Sequence, residues 1–425
     1  MNASIRFSIL LIGAAVAACA PARTAPSPAP VPDSLRIRRD IAYLASDRLE
    51  GRRAGTPGND SAAAYIARRY RDLGLVAMTP VSYLQPFVAR PAAGPHSAPE
   101  VLPTQNVVAM LAGTDSVLRN QWVVVGAHFD HLGRSAQDAL DPEAGNAIRN
   151  GADDNASGTA AVMELARIFD AAPTRRSLLF VNFSAEEEGL LGSAYFVDHA
   201  PVALDSIDAM VNFDMVGRLR NDRLIVYGVA TASEFPAILD SANAGRVKIF
   251  GQGDGFGPSD QSSFYARNIP VLHFFTDLHE DYHRATDDAD KINAAGEDTV
   301  VQIAERVVRD IADRPARVTF VRVPAKPTVA ASSSGTDVYF GSIPDMAAGD
   351  VPGERLTGIT PGSPADKGGL KAGDVVVEFG GITVTDLNTY SQALYAHKPG
   401  DVVTVVVLRD GRRLTLSVTL GKRGG

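Results

Sequence analysis

The sequence predicts an α/β domain followed by a small β-rich domain. Over residues 34–313, apolar runs of strand length alternate with segments of helical pattern. This alternation is typical of a mixed sheet, mostly parallel at its centre, that packs against helices. From residue 335 onward the pattern changes to short β runs between Gly and Pro turns. The length of 425 residues also favours two domains, because one hydrophobic core seldom organises so long a chain.

Residues 1–19 have the pattern of a bacterial lipoprotein signal. Arg6 precedes an apolar stretch that is too short to span a bilayer. The Val-Ala-Ala-Cys sequence that ends at Cys19 resembles a lipobox, which implies cleavage before this residue and its lipidation. We therefore expect an outer-membrane lipoprotein of the bacterial cell envelope that faces the periplasm, with its lipid anchor as the membrane attachment. The alternative is a plain secreted protein. Since Cys19 is the only cysteine, an internal disulfide is excluded.

Residues 20–33 are rich in Pro and Ala and are predicted to form an extended tether. The domain that follows is predicted to contain six clear strands and four helices. The predicted strands are residues 106–110, 122–126, 178–183, 209–213, 223–227 and 270–275, and the predicted helices are residues 159–169, 192–198, 232–243 and 296–311. Because ligands of such sheets bind at the carboxyl ends of strands, polar side chains at those ends are candidate site residues.

Residues 314–334 are rich in Pro and Ser and are predicted to form a linker. The second domain is predicted to span residues 335–425. Its predicted strands are residues 355–359, 375–379, 402–408 and 413–419, and its predicted helices are residues 364–369 and 387–396.

The charge of the chain argues against one class of partner. The formal net charge is −8 at pH 7, and proteins that bind phosphate backbones are usually basic at the contact surface. We therefore expect no nucleic-acid partner. Part of the negative charge comes from acidic clusters beside the predicted strands, where bound divalent cations would offset it.

Imidazole and carboxylate side chains follow the predicted strands or lie in loops between them. They are His128, Asp154, Glu186, Glu187, Asp214 and His283. Such ligands suit zinc in a site without thiolates. Two zinc ions about 3.5–4 Å apart need a carboxylate that bridges them, further imidazole and carboxylate ligands, and a shared water molecule. Asp130 lies two residues after His128, where it is placed to orient the imidazole ring.

Each of these residues has an ordinary explanation when it is taken alone, such as a buried histidine or a helix-capping carboxylate. The whole set is what favours a metal centre. His273 lies within an apolar run and is predicted to be a hydrogen-bonded core histidine. His131, His199 and His279 are predicted to lie at the surface or to support the site. The role of Asp260 stays open between helix capping and electrostatics at the rim of the site.

Five motifs occur in the order that is found in the co-catalytic di-zinc aminopeptidases. They are Gly-Ala-His-Phe-Asp at residues 126–130, Gly-Ala-Asp-Asp-Asn-Ala-Ser-Gly at 151–158, Ser-Ala-Glu-Glu-Glu-Gly-Leu-Leu-Gly-Ser at 184–193, Asn-Phe-Asp-Met-Val-Gly at 212–217 and Asp-Tyr-His at 281–283. Residues 34–313 thus resemble this secreted family, which includes bacterial leucyl aminopeptidase and aminopeptidase Y. The resemblance implies the zinc exopeptidase fold, a three-layer sandwich around a mixed sheet.

The resemblance also implies how two zinc ions would be held. One ion would take His128 and Asp214, and the other would take Glu187 and His283. Asp154 would bridge both ions, since the Ala-Ser-Gly sequence that follows matches the family at this residue and not at Asp153. A cis peptide bond between Asp154 and Asn155 is a further implication.

The remaining roles come from the same resemblance. Glu186 would act as general base and then as general acid, and would pass a proton from water to the leaving amine. Tyr282 would donate a hydrogen bond to the oxyanion. Glu188 occupies a variable position of the family pattern, so it is expected at the rim of the site.

The second domain resembles a bacterial PDZ domain. The resemblance rests on Gly-Ser-Pro-Ala at residues 362–365, Gly-Leu-Lys-Ala-Gly-Asp-Val-Val at 369–376 and Phe-Gly-Gly-Ile-Thr-Val at 379–384. It implies a loop that binds the carboxylate of a peptide C-terminus while the peptide adds to a sheet edge. By position this loop comprises Tyr339, Phe340, Gly341 and Ser342. A domain that only packs on its neighbour is an equally good expectation.

Together these resemblances imply a zinc-dependent exopeptidase that releases N-terminal residues from peptides. Its partners would be a peptide substrate with a free N-terminus and, at the PDZ domain, a peptide C-terminus. Three alternatives remain open. They are a single-zinc transferase that cyclises N-terminal glutamine, a carboxypeptidase, and a non-catalytic PDZ adaptor.

Overall fold

The structure is a computed structural model that describes residues 30–79, 82–91, 100–135, 139–257, 259–323, 338–345, 351–385 and 387–422. The predicted signal, Cys19 and all but the last residues of the predicted tether lie outside these ranges. Within them, no helix combines the length and the hydropathy that a transmembrane span requires.

The large domain alternates helices and strands from its first described element. Its helices are α1 (Ser34–Leu44), α2 (Pro57–Asp72), α3 (Gly158–Ala171), α4 (Leu191–Asp198), α5 (Phe235–Asn243), α6 (Gln261–Tyr265) and α7 (Ala294–Asp313). Its strands are β1 (Val76–Ala77), β2 (Leu84–Ala89), β3 (Leu102–Leu111), β4 (Trp122–His128), β5 (Ser177–Phe183), β6 (Ile207–Phe213), β7 (Arg223–Tyr227), β8 (Lys248–Gln252) and β9 (Val271–Phe275).

These strands form one mixed sheet in the order β1-β3-β5-β4-β6-β9-β7-β8, with β2 added to β3. The four central strands, β5, β4, β6 and β9, are parallel. Strand β3 pairs antiparallel with β5, and β7 pairs antiparallel with β9. The carboxyl ends of the four central strands therefore meet at one edge of the sheet.

Helices cover both faces of this sheet. On one face, α1, α2, α3, α5 and α7 share a core with sheet residues such as Val123 and Val211. On the other face, Phe196 of α4 and Phe264 of α6 pack against residues such as Val124. The predicted three-layer α/β sandwich is therefore confirmed.

Each predicted strand and helix overlaps an observed element. The elements of the large domain that were not predicted include β2, β8, α6 and the two N-terminal helices. Both carry ordinary helix signals. The Asp33 side chain accepts hydrogen bonds from the first turn of α1, and Thr56 caps α2, whose first residue is a proline. The buried side chains of α1 recur at Ile37, Ile41 and Leu44, which is the spacing of one helical face.

The small domain is built from short antiparallel strands. They are β10 (Val338–Tyr339), β11 (Ser342–Pro344), β12 (Glu354–Ile359), β13 (Val375–Phe379), β14 (Ile382–Thr383), β15 (Val402–Arg409), β16 (Arg412–Thr419) and β17 (Gly421–Lys422), with helices α8 (Pro364–Lys367) and α9 (Leu387–Tyr395). The main sheet has the order β11-β12-β13-β15-β16, and β10 pairs with β17. Its separate core includes Phe340, Leu356 and Phe379, so the predicted small β-rich domain is confirmed.

The first part of the predicted linker packs against the large domain. The Val318 N–H donates to the Asp208 carboxylate over 3.1 Å, and the Phe320 ring lies 5.8 Å from the ring of Tyr265. The Val323 N–H donates to the hydroxyl of Tyr265 over 2.9 Å. The large domain thus extends beyond residue 313, and residues 324–334 lie outside the described ranges.

Arg52 fastens the segment after α1 to the site edge of the sheet. Its buried guanidinium donates hydrogen bonds of 2.6–3.0 Å to four carbonyl oxygens, those of Leu44, Phe129, Asn150 and Gly151. Burial lowers the pKa of this guanidinium to about 10, so it keeps its charge at neutral pH. The two carbonyls at residues 150 and 151 lead directly into the turn that carries Asp154.

Replacing Arg52 by methionine leaves these buried carbonyls without a donor, so we expect a loss of about 3–5 kcal/mol in the free energy of unfolding. The chain has one tryptophan, Trp122 in β4, whose fluorescence during urea titration reports on the large domain. The exposed Arg48 is the control, because an Arg48→Met change should stay within about 0.5 kcal/mol of the wild type. Equal urea midpoints for the two variants would show that Arg52 has no such role.

Candidate metal centre

The candidate ligands meet where the central strands end. His128 is the last residue of β4, and Asp214 directly follows β6. Glu186 and Glu187 come three and four residues after the end of β5. Since these strands are parallel neighbours, their carboxyl ends place all of these side chains at one edge of the sheet.

Asp154 lies at the centre of the group. Its Oδ1 atom is 3.4 Å from Nε2 of His128, and its Oδ2 atom is 3.2 Å from Nε2 of His283. His128 Nε2 is also 3.4 Å from Asp214 Oδ1, and His283 Nε2 is 3.2 Å from Glu187 Oε2. The structure thus brings together all five predicted metal ligands, with one carboxylate between two pairs.

This donor set fits divalent cations. The side chains are largely buried, with His128 1% and Asp154 3% exposed. Within the described residues, neither ring nitrogen of His128 has a hydrogen-bond partner, and neither does Oδ1 of Asp214. Buried polar atoms normally have partners, and imidazole nitrogen and carboxylate oxygen are the donors that zinc prefers when thiolates are absent. The predicted metal is thus consistent with the atoms present.

Glu186 lies beside the same group. Its Oε2 atom is 3.9 Å from Nε2 of His128. Two sets of three potential ligand atoms lie within 4.8 Å of one another, namely those of His128, Glu186 and Asp214, and those of His128, Asp154 and Glu187. The distances alone therefore allow Glu186 to be either a ligand or a neighbour of the ligands.

The crowding of charge shifts the protonation of these groups. Burial lowers the pKa of His128, but Glu186 and Asp214 outweigh it and raise that pKa well above its ordinary value. Burial, followed by the charge of Glu187, raises the pKa of Glu186 well above its ordinary value. Burial also opposes ionisation of Glu187, but His283 and His131 lower its pKa well below the ordinary value. The two adjacent glutamates thus differ in proton affinity.

Asp130 holds the two glutamates through their backbone. Its Oδ1 atom accepts the Glu186 N–H over 3.2 Å, and its Oδ2 atom accepts the Glu187 N–H over 3.4 Å. The distance from Asp130 Oδ1 to His128 Nδ1 is 3.7 Å, which is long for a hydrogen bond. Asp130 therefore lies where it was predicted, beside His128, but its hydrogen bonds order the Glu186–Glu187 segment.

Asp287 supports the turn that carries Asp154 by accepting hydrogen bonds from its backbone. The Oδ2 atom of Asp287 accepts the backbone N–H groups of Asp153 and Asp154, over 2.9 and 3.0 Å. Its Oδ1 atom accepts a hydrogen bond from Arg218 over 2.9 Å. The Asp154–Asn155 peptide bond is cis, as the resemblance implies.

His131 belongs to the site, although it was expected only at the surface or in a supporting position. It is fully buried, and its Nδ1 atom lies 2.7 Å from Glu187 Oε1 and 3.8 Å from Asp154 Oδ2. A surface location is therefore wrong for this residue. It lies beyond the end of β4, where strand alternation no longer indicates the direction of a side chain.

Of the three further histidines for which the sequence made a prediction, two are buried and one is exposed. His273 is buried, contacts Asn212 over 3.1 Å, and has a pKa that burial lowers to about 4, so it is a neutral core histidine as predicted. His279 is buried with its Nε2 atom 3.0 Å from Asp153, so a surface location is wrong for it too. His199 is exposed and stacks on Tyr195.

Asp260 is fully buried, and its side chain makes no capping hydrogen bond at the start of α6. A capping role is therefore wrong. An electrostatic role is consistent with the structure, because the charge of Asp260 helps to raise the pKa of Glu186, but the side chain acts from a buried position and not from the rim. Burial raises its pKa to about 7.

Tyr282 lies over the site and stacks on the His283 ring, with 3.9 Å between the ring centroids. Burial, followed by the charges of Asp154 and Glu187, raises the pKa of its hydroxyl well above the ordinary value. The phenol therefore keeps its proton and can donate a hydrogen bond into the site.

A cavity of ≈160 Å³ opens above the ligands. Its polar wall is formed by the predicted ligands, Glu186 and Tyr282, and its other wall includes Met215, Tyr227, Phe275 and Leu278. A small pocket with one polar and one largely apolar wall thus lies directly beside the candidate metal centre.

Two family models match the chain. Residues 106–308 match the model described as Peptidase family M28, and residues 348–420 match the model described as PDZ domain. The first range contains all five predicted metal ligands. The second lies within the predicted second domain.

Curated relatives include proteins named as a probable zinc metalloprotease and as an aminopeptidase. The chain is 32% identical over 133 residues to Aminopeptidase YwaD of Bacillus subtilis, which covers 29% of this chain and 28% of that protein. It is 29% identical over 292 residues to Leupeptin-inactivating enzyme 1 of Streptomyces exfoliatus, and this match covers 66% of this chain and 58% of that protein. The match thus spans less than two thirds of either relative.

Solved structures support the fold alone. The Aneurinibacillus aminopeptidase matches with a TM-score of 0.51 and 18% identity, over 68% of this chain and 96% of that chain. The Porphyromonas gingivalis glutaminyl cyclase matches with a TM-score of 0.54 and 16% identity, over 65% of this chain and 98% of that chain. The fold is therefore common to both chemistries.

Replacing Asp287 by alanine removes the acceptor of the Asp153 and Asp154 amides, so the turn that presents Asp154 loses its support. We expect zinc affinity to fall about 10–100-fold, as when other groups that orient metal ligands are removed. Competition with a zinc-binding dye measures this change. Asp290 is exposed in the same segment, and Asp290→Ala should bind zinc as the wild type does; equal affinities for the two variants would contradict the role of Asp287.

Proposed function

We propose that this chain is a zinc-dependent aminopeptidase with two zinc ions, because residues 106–308 match the Peptidase family M28 model and residues 348–420 match the PDZ domain model. The observation that carries this proposal is the position of Asp154 between two ligand pairs. His128 and Asp214 would hold one ion, Glu187 and His283 would hold the other, and Asp154 would contact both.

When bound, two zinc ions would polarise the scissile carbonyl and lower the pKa of a water molecule at the site. The protein supplies the remaining groups. Glu186 is the proton carrier in this proposal, since its carboxylate faces the site next to His128. It takes a proton from the attacking water and delivers it to the leaving nitrogen. The hydrogen bonds from the Glu186 and Glu187 amides to Asp130 hold this carboxylate in place.

Tyr282 is the proposed hydrogen-bond donor to the substrate carbonyl. Its hydroxyl stays protonated, because burial and the nearby carboxylates raise its pKa. A donor aimed at the oxygen on which charge develops lowers the barrier of acyl transfer. The ring also stacks on His283, so its position is coupled to that of a metal ligand.

The small cavity supports cleavage next to a single apolar side chain. Met215, Phe275 and Leu278 form its apolar wall, and burial of an apolar side chain against such a wall is favourable. We therefore propose that the N-terminal residue of the substrate lies there and that leucine or methionine is preferred over lysine or aspartate.

Replacing Glu186 by glutamine keeps the size of the side chain but removes the proton acceptor. We expect kcat for leucine p-nitroanilide to fall about 10²–10⁴-fold, while the zinc content stays the same. The matched control is Glu188→Gln, since Glu188 pairs with Arg53 outside the ligand group. Full activity in Glu186→Gln would remove it as proton carrier, and loss of zinc from this variant would instead make it a ligand.

A substrate panel separates the proposal from its rivals. We expect cleavage of leucyl peptides with a free N-terminus, no cleavage after N-acetylation, and no cyclisation of N-terminal glutamine. A carboxypeptidase would cleave the acetylated peptides, and a single-zinc cyclase would act on glutamine. A non-catalytic adaptor would act on none of these substrates in the presence of zinc. Mass spectrometry of the products distinguishes the four outcomes.

A further inference from the structure

The predicted peptide-binding side of the small domain faces the large domain. Strand β11 lies at the edge of its sheet and, among the described strands, pairs with β12 alone. Helix α9 lies beside it, with the Tyr390 hydroxyl 2.5 Å from Ser342 Oγ. An extended peptide adds to an edge strand of this kind, in the groove between the strand and the helix.

The loop before β11 is built to present N–H groups. The carbonyl oxygens of Phe340 and Gly341 accept hydrogen bonds from Ala365 and Thr360, over 2.9 and 2.8 Å. These two carbonyl groups already have partners, so the backbone groups that the loop can offer to a ligand are its N–H groups. Such N–H groups bind carboxylates in loops of this kind. Gly341 has a φ of +83°, and a Cβ atom there would lie 2.2 Å from Cβ of Ser363, so only glycine fits.

This groove and the metal centre share a wall. A cavity of ≈260 Å³ lies between the two domains, lined by Gly341, Ile343 and Leu394 on one side and by Leu278 and Tyr282 on the other. The same Leu278 and Tyr282 line the cavity of ≈160 Å³ over the candidate metal ligands. A ligand that fills the groove therefore ends next to the metal centre.

The direction of the strand gives the direction of the ligand. If a peptide pairs antiparallel to β11 with its C-terminus at Gly341, its N-terminal end lies beyond the end of β11, near Asp345. Asp345 forms an ion pair with Arg223, which lies 3.3 Å from the Asp277 carboxylate. Ile343 and Asp345 line a further cavity together with Leu278, and Leu278 also lines the metal-centre cavity. The N-terminus of the peptide thus points toward the metal centre.

We propose that the occupant of this groove is the C-terminal end of the substrate itself. This inference rests on the proposed function and specifies its substrate class, which is short peptides with both termini free. The loop before β11 holds the carboxylate, while the other end of the same peptide lies over the metal ligands. Because an extended chain advances about 3.3–3.6 Å per residue, two fixed ends favour one peptide length. Arg284 and Glu280 line the groove cavity as well, so its wall carries charges of both signs.

The test compares leucyl-alanine peptides of two to eight residues, each as the free acid and as the C-terminal amide, on the full-length chain with zinc. We expect the acid-to-amide ratio of kcat/KM to peak at one intermediate length, at about tenfold or more, since this is the contribution of one good charge-assisted contact. The ratio should be near one for dipeptides, which are too short to reach both ends. A ratio near one at every length overturns the proposal even when the peptides are cleaved, and so leaves the proposed function standing.

A variant gives an independent result. Ser391 lies on α9 and lines the groove, whereas the neighbouring Gln392 does not. Ser391→Trp fills the groove, so we expect the kcat/KM for the best peptide acid, divided by that for leucinamide, to fall about tenfold or more. Gln392→Trp adds the same side chain to the same helix and should leave this quotient unchanged. Equal quotients for both variants contradict the proposal.

Binding without metal separates failure of this inference from failure of the proposed function. The best-length peptide, labelled with fluorescein on a lysine side chain, is titrated with the EDTA-treated full-length chain, and its anisotropy is measured. We expect the acid to bind about tenfold or more tightly than the amide, and Ser391→Trp to remove the difference. If no substrate is cleaved but this preference appears, the groove stands and the aminopeptidase fails. If neither form binds preferentially, the groove proposal fails.

Discussion

The buried negative charge of the candidate metal centre is the constraint on which the rest of the structure depends. Asp154, Glu186, Glu187 and Asp214 share one pocket at the carboxyl ends of parallel strands. Buried carboxylates are strongly destabilised unless a counter-charge or hydrogen bonds compensate them. The histidines offset part of this charge, as the raised pKa values of His128 and His283 show. Two divalent cations beside Asp154 would offset the remainder and would also give a partner to Nε2 of His128, the ring nitrogen that faces Asp154 and Asp214.

The surrounding scaffold holds these charges through backbone groups. Asp130 accepts the amides of the Glu186–Glu187 segment, and Asp287 accepts those of the turn that carries Asp154. Arg52 joins the same turn to the N-terminal segment by donating to buried carbonyls. The segments that carry Glu186, Glu187 and Asp154 are therefore held through their backbone, so these carboxylates can stay close together despite their mutual repulsion.

The sequence was informative where strands place side chains. His128 and Asp214 were predictable as site residues, because each lies at or directly after the end of a parallel strand. Asp154, Glu187 and His283 lie in loops. Residue type and position made them candidates, and the resemblance to a family assigned their roles as ligands. His131 could not be placed, since it follows the strand in an irregular segment and only folding brings it against Glu187. The helices α1 and α2 have caps and an apolar spacing that are visible in the sequence, so both were predictable from it.

The arrangement of the two domains had no local signal. No periodicity or turn pattern could indicate that Leu278 and Tyr282 line both the metal-centre cavity and the groove of the small domain, because the contact depends on how two separate cores meet. The short edge strand β11 was equally difficult to predict, since three residues are too few for an alternating pattern. Its position became clear only from its pairing with β12.

The most direct test of the central claim is anomalous X-ray diffraction at the zinc edge from crystals of the zinc-loaded protein. The account predicts two peaks about 3.5–4 Å apart, one beside His128 and Asp214 and the other beside Glu187 and His283, with Asp154 between them. A single peak, or peaks that Asp154 does not contact, would contradict it.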